Sequence, residues 1–206
     1  MIEPTVYLVD DDLSYRQSLR LLLEAEGFNV EDFDCAAAFL ASYHHHHPGC
    51  LVLDVRMPEV SGLELQDHLM EKEVRLPIIF LTGHGDVPMS VKAIKAGAVD
   101  FLEKPFDNRA LLESIREAIA TDARMRMTIA ERSDIIQRLR RLTRREREVM
   151  NRVVVGKANK EIASELDVSP RTVEVHRARV MQKMVARSIP ELIAMALKAD
   201  IYELRS

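Results

Sequence analysis

Four apolar runs in this 206-residue chain end in side chains suited to handling a phosphoryl group. TVYLV runs into Asp10, Asp11 and Asp12, CLVL into Asp54, PIIFL into Thr82, and AVDFL is followed closely by Lys104. Carboxylates gathered in one pocket repel each other and are costly to desolvate, so they call for a cation, and hard oxygen donors favour Mg2+ or the similar Mn2+. One carboxylate can then attack phosphorus while the metal, Lys104 and Thr82 stabilise the transferring oxygens. Asp12 has a separate use. It stands directly before LSYRQ, where its side chain can cap the start of a helix.

These side chains meet only if the strands that carry them are neighbours in one sheet. Residues 1–121 alternate five β-rich runs (TVYLV, FNVEDF, CLVLD, PIIFLT, AVDFL) with five amphipathic stretches ending in DNRALLESIREAIA. That alternation predicts an α/β domain with a doubly covered parallel sheet. Ligands of such sheets bind beyond the carboxyl ends of the strands, which is where the aspartates, Thr82 and Lys104 fall. Gly27 and Gly97 mark helix ends, and Ser61 with Glu64 has the spacing of a capping box.

Between Pro105 and Gly156 the chain has neither proline nor glycine, so the span from Asp107 into the 140s can stay helical and connect two domains. Met125, Ile129, Ile136 and Leu139 fall roughly on one stripe of this helix, interrupted by Arg132. The stripe suits either a short coiled-coil dimer seam or a solvated linker with a few apolar contacts. Beyond it, TRREREVMNRVVV, NKEIASEL, PRTVEVHRARVMQKMV and IPELIAMALKA read as four helices of a small all-α domain. Thr143 with Glu146 and Ser188 with Glu191 have capping-box spacing, and Ser169 precedes a proline at the first helical position. The resulting boundaries are 1–121 for the α/β domain, 122–137 for the linker and 138–206 for the helical domain.

Charge separates the halves. Residues 1–121 hold 21 acidic and 10 basic side chains, a balance of −11, whereas residues 122–206 hold 12 and 19, a balance of +7. Only the second half is therefore expected to meet nucleic acid. A hydrophobic content of 47% with 30% charged residues is that of a folded soluble chain. No apolar run approaches the ~20 residues that span a bilayer, and MIEPTVYLVD lacks the features of a secretory signal. Cys35 and Cys50 lack metal-ligand spacing and read as reduced thiols. A cytoplasmic protein without a membrane partner is expected. His44 to His47 are consecutive, a poor arrangement for placing four rings on one ion, and read as a solvated loop.

Residues 1 to about 121 resemble a response-regulator receiver domain, through VDD, LDVRMP, LTGHGD and FLEKPF at their expected strand ends. The resemblance implies a flavodoxin-like five-stranded sheet of order 2-1-3-4-5. It implies Asp54 as phospho-acceptor, with Lys104 and Thr82 assisting, and Asp11, Asp54 and the backbone carbonyl of Arg56 as metal ligands, with Asp10 helping through water. It also implies a switch in which Thr82 moves and Phe101 changes rotamer. Arg56 and His84 occupy positions that border the path of attacking water and would tune dephosphorylation.

LTRREREVM and GKANKEIASELDVSPRTVEVHRARVMQKM resemble the LuxR-type helix-turn-helix of the NarL and FixJ response regulators, over most of residues 138–203. Asp167 stands where the turn often has glycine, and Asp tolerates a left-handed backbone better than most residues. Helical spacing turns Val173, Val180 and Met184 to the core and Glu174, Val175, Ala178 and Arg179 to another face. The resemblance places Glu174, Val175 and Ala178 near base edges. Lys160, Arg171, Thr172, Arg177 and Lys183 are candidates for the phosphate backbone, and Ser169 and Arg179 complete the set expected to meet DNA. His176 reads as a packed residue.

The expected protein is a phosphorylation-dependent transcriptional regulator. A sensor histidine kinase would phosphorylate Asp54, the receiver would then either dimerise or release its output domain, and a helix-turn-helix homodimer would bind promoter DNA within reach of RNA polymerase. A Mg2+-dependent phosphohydrolase is the rival, disfavoured because Arg56 stands two residues beyond Asp54 where such an enzyme needs a second carboxylate. A phosphorylation-independent DNA-binding protein would leave the carboxylate set without a purpose.

Overall fold

The computed structural model describes residues 3–44, 47–83 and 87–199. It divides into two compact units, 1–126 and 127–206. In the first, strands β1 (Thr5–Val9), β2 (Asn29–Phe33), β3 (Gly49–Asp54), β4 (Ile78–Thr82) and β5 (Asp100–Glu103) alternate with helices α1 (Leu13–Ala25), α2 (Ala36–Ser42), α3 (Gly62–Glu71) and α4 (Val87–Lys95). All strand pairs are parallel and the order is β2-β1-β3-β4-β5, as expected.

Side-chain alternation along the strands builds two apolar layers. Tyr7, Val9, Leu51, Leu53, Ile78 and Phe80 point to one side of the sheet, where Phe39 of α2, Leu65 and Leu69 of α3 and Ala93 of α4 cover them. Val6, Leu8, Cys50, Val52, Ile79 and Leu81 point to the other, against Leu19 and Leu23 of α1 and Leu111, Ile115 and Ala118 of α5 (Asn108–Arg140). With the strands buried on both faces, their register is fixed. Val9 pairs with Leu53, Asp54 with Leu81 and Thr82 with Glu103. Asp10, Asp54, Thr82 and Lys104 therefore leave the sheet at one end, around the point between β1 and β3 where the order reverses.

Helix α5 joins the fifth receiver-type helix and the linker into one run of 33 residues. The stripe foreseen along it divides. Leu139 is buried and Ile136 partly buried in the second unit's core, Ile129 is exposed, and Met125 lines a recess of the first unit. Ile135, outside that stripe, is buried.

Helices α6 (Arg144–Val154), α7 (Asn159–Leu166), α8 (Pro170–Met184) and α9 (Ile189–Lys198) close the second core around Val149, Met150, Ile162, Val173, Val180, Met184 and Leu192. Thr143 and Glu146 form a full capping box. The pattern at Ser188 is only half of one. Ser188 accepts from the Glu191 N–H, but the Glu191 carboxylate reaches back to the N–H of Arg187, one residue earlier than the box requires. Asp167 ends α7 in the left-handed region, φ 52° and ψ 54°, and the Val168 N–H then closes on the Ala163 carbonyl at 3.0 Å.

Candidate functional site

The pocket at the strand ends is organised by one cation. Lys104 Nζ donates to Asp10 Oδ2 at 2.8 Å and to Asp54 Oδ1 at 2.6 Å. Asp10 is 1% exposed and Asp54 7%, so two neighbouring carboxylates are taken out of water beside a single ammonium. Their other oxygens are held by the backbone: Asp10 Oδ1 accepts from the Asp12 N–H at 2.9 Å, and Asp54 Oδ2 from the Arg56 N–H at 2.7 Å. Burial raises the Asp10 pKa above its usual value, with Lys104 opposing the shift. Burial works against the Lys104 charge, but the hydrogen bonds to Asp10 and Asp54 outweigh it and raise its pKa.

Asp11 is exposed at the rim and Asp12 lies outside the pocket as the N-cap of α1, accepting from the Ser14 and Tyr15 N–H groups at 2.9 and 3.1 Å. Thr82 is fully buried at the end of β4, and its carbonyl accepts from the Lys104 N–H at 2.6 Å. Phe101 is half-buried beside Phe80, with ring centroids 6.1 Å apart. Arg56 is exposed. His84, and His45 and His46 of the histidine run, lie outside the described residues.

The donor set suits a hard divalent cation, because carboxylate oxygens of two residues already converge on one positive group and Asp11 stands adjacent. Among the described residues, no three His, Cys, Asp or Glu side chains are arranged as a ready metal cage. The observed pairing is therefore carboxylate to lysine.

Several residues of this pocket escaped the sequence reading. The α3 helix begins on Gly62, where a Cβ would fall 2.3 Å from the Asp54 carbonyl oxygen. Arg16 is buried, with Nη1 donating to the Asp10 carbonyl at 2.5 Å and Nε to Asp32 Oδ2 at 3.1 Å. Its signal was an arginine in phase with Leu19 and Leu23 on the inner face of α1. Tyr15 carries its ring under Lys104, with Nζ 4.0 Å from the ring centroid.

In the second unit, α8 starts on Ser169, which accepts from the Thr172 N–H at 3.0 Å. Val173, Val180 and Met184 are buried, while Glu174, Val175, Ala178 and Arg179 are exposed on the opposite side. Lys160 is exposed on α7. Three of the basic candidates have intramolecular partners: Arg171 pairs with Glu174 at 2.9 Å, Arg177 with Asn159 at 2.5 Å, and Lys183 with Glu146 at 2.6 Å. The last two tie α8 to α7 and α6. Nδ1 of His176 is buried without a hydrogen-bond partner, which places that ring among packed groups.

Comparison with known proteins matches both units. Residues 6–116 match the response regulator receiver domain, and residues 140–196 the bacterial regulatory proteins of the luxR family. The transcriptional regulatory protein FixJ of Rhizobium meliloti (strain 1021) is 48% identical over 197 residues, covering 96% of this chain and 97% of that protein. The response regulator protein TodT of Pseudomonas putida is 45% identical, covering 91% and 83%. The solved structure of response regulator StyR is 45% identical with a TM-score of 0.86, covering 95% and 99% of the two chains. Full-length FixJ from B. japonicum is likewise 45% identical, with a TM-score of 0.59 and coverage of 98% and 99%. With a receiver pocket in the first unit, a helix-turn-helix in the second and whole-length relatives of the same build, the chain belongs to the NarL/FixJ family of response regulators, the transcriptional regulators of two-component systems.

Proposed function

We propose that Asp54 accepts a phosphoryl group from a partner histidine kinase and that the modification switches promoter binding by α7 and α8. The observation that carries this reading is the Lys104 ammonium shared by Asp10 and Asp54 at 2.8 and 2.6 Å. In the transfer, an Asp54 carboxylate oxygen bonds to phosphorus as the bond from phosphorus to the donor's imidazole nitrogen breaks. The Arg56 N–H holds the other Asp54 oxygen and fixes the carboxylate plane. Lys104 balances the charge of the arriving group at no reorganisation cost, because it is already in place. The Thr82 hydroxyl, at the end of the adjacent strand, is the group to follow the phosphoryl oxygens, and Phe101 would report that movement to the far side of β5. Asp10, Asp11, Asp54 and the Arg56 carbonyl would hold Mg2+, which neutralises phosphoryl oxygens when bound. Arg56 and His84 would set the lifetime of the modification.

The protein acts as a regulator rather than a classical enzyme, its only catalysis being its own phosphorylation and dephosphorylation. Residues 1–121 would form the phospho-acceptor domain, 122–137 the linker and 138–206 the DNA-binding domain, whose two copies in a homodimer engage paired half-sites at high effective concentration. Glu174, Val175 and Ala178 would face base edges, and Lys160, Ser169, Arg171, Thr172 and Arg179 the backbone, with RNA polymerase as a downstream contact. No helix among the described residues is long and apolar enough to cross a membrane, and a cytoplasmic site of action fits the charge pattern. Incubation with a small phosphodonor and Mg2+ should add one hydroxylamine-labile phosphoryl group, absent from Asp54→Ala, and raise affinity for promoter DNA. Label on Asp54→Ala, or none on the wild type, overturns the assignment.

A further inference from the structure

The pocket contains one aromatic group that neither strand ends nor metal chemistry requires. Tyr15 is the third residue of α1, and its backbone position is set by the Asp12 cap, which accepts from the Tyr15 N–H at 3.1 Å. The next residue, Arg16, pins the same turn to the Asp10 carbonyl and to Asp32. The ring is half-buried and packs against the apolar layer shared by α1, α5 and the sheet. It is thus held from two sides before it meets Lys104, whose Nζ lies 4.0 Å from its centroid.

We propose that Tyr15 is a positioning residue for phosphoryl transfer: its ring face holds the Lys104 ammonium at the pocket while the carboxylates exchange partners. An ammonium on a four-carbon stem is mobile unless its contacts restrain it. Two of those contacts, Asp10 and Asp54, are the groups whose charge and partners change during the reaction. The ring is neutral and takes no part in that exchange, so its attraction for the cation is the same before and after. Keeping Lys104 in place converts a search by a flexible side chain into a preset contact. The hydroxyl of Tyr15 has no role in this; the aromatic face does.

The inference rests on Asp54 being the phospho-acceptor. Full-length wild type, Tyr15→Leu and Tyr15→Phe are labelled with phosphoramidate and Mg2+, each alone and with Lys104→Ala. Tyr15→Leu should lower the maximal labelling rate roughly three- to tenfold, with the half-saturating donor concentration little changed, and Tyr15→Phe should restore it. With Lys104→Ala, Tyr15→Leu should cost nothing further. A second readout needs no phosphodonor: the Lys104 Hε resonances should be shifted upfield by the ring current in wild type and Tyr15→Phe, and lose that shift in Tyr15→Leu. Equal rates for wild type and Tyr15→Leu, failure of Tyr15→Phe to rescue, or an undiminished cost without Lys104 overturns the proposal while leaving the phospho-acceptor reading intact. A wild type that takes no label overturns both.

Discussion

Asp122, on α5, accepts a hydrogen bond from the backbone N–H of Gly49 at 3.0 Å, across 73 residues of chain. The carboxylate is 2% exposed, and Arg126 Nε donates to it at 2.7 Å while Arg126 Nη2 reaches the His47 carbonyl at 2.6 Å. Gly49 cannot be replaced there, since a Cβ would fall 1.9 Å from the Thr5 carbonyl oxygen. One buried acid therefore fastens α5 to the entry of β3, the strand that ends in Asp54.

Asp122→Ala should accordingly unfold the first unit more readily. It leaves the buried Gly49 N–H without its acceptor and takes one of its partners from the Arg126 guanidinium, a loss of about 2–4 kcal/mol by the usual cost of breaking such pairs. Urea denaturation of the full chain, followed by a probe in the first unit, should show an earlier midpoint. An unchanged midpoint would mean that the Gly49 contact contributes nothing.

Gly62 makes a sharper test of the pocket, because a Cβ there would fall 2.3 Å from the Asp54 carbonyl oxygen, closer than any side chain allows. Gly62→Ala must push either α3 or the end of β3 aside, at about 1–3 kcal/mol as overpacking usually costs. The displaced atom belongs to the proposed phospho-acceptor itself. Labelling by a phosphodonor should therefore slow more than the loss of stability alone explains. A variant that is destabilised but labels at the wild-type rate would show that the Asp54 position tolerates the shift.

The sheet was legible because its signal is repeated: short β-rich runs recur, every connection carries a helix, and the chemistry falls at strand ends. Asp12 could be separated from Asp10 and Asp11 because a helix cap is a local property of three or four residues. Tyr15 and Arg16 could not be assigned the same way. Their partners Lys104 and Asp32 are distant in sequence, and only the packing of α1 across β1 brings them together. The linker stripe, one line in the sequence, divides in space, because Ile136 and Leu139 pack in the second core while Ile129 faces solvent. Basic residues on α8 were legible as a group, yet which of them serve internal ties to Glu146 and Asn159 depends on α6 and α7.

Acid should weaken the second unit through Glu146. Burial opposes ionisation of this carboxyl, but hydrogen bonds from Lys183 and from Thr143 prevail and lower its pKa below the usual value. A depressed folded pKa means that the unfolded chain binds the proton first. The stabilisation is therefore complete above the unfolded value of about 4.3 and is lost as pH falls through the lower folded one. Glu146→Gln should be less stable than wild type at neutral pH, and the difference should shrink below about pH 4. Parallel stability curves for the two proteins down to acid pH would remove Glu146 from the account.

Base reading and backbone binding should separate between α8 and α7. Glu174 is exposed near the start of α8, held by Arg171 at 2.9 Å, and its carboxylate can accept from a cytosine amino group in the major groove. Glu174→Ala should therefore relax preference at one position of the site by about 1–3 kcal/mol, with the salt dependence unchanged. Lys160→Ala should instead weaken binding to all sequences alike and reduce the salt slope by about one. Arg177→Ala differs from both, since the side chain is tied to Asn159 at 2.5 Å and its loss loosens α7 against α8. Selection of bound DNA from a random pool, repeated at two salt concentrations for each variant, distinguishes the three. An unaltered base preference in Glu174→Ala would move recognition to another face of α8.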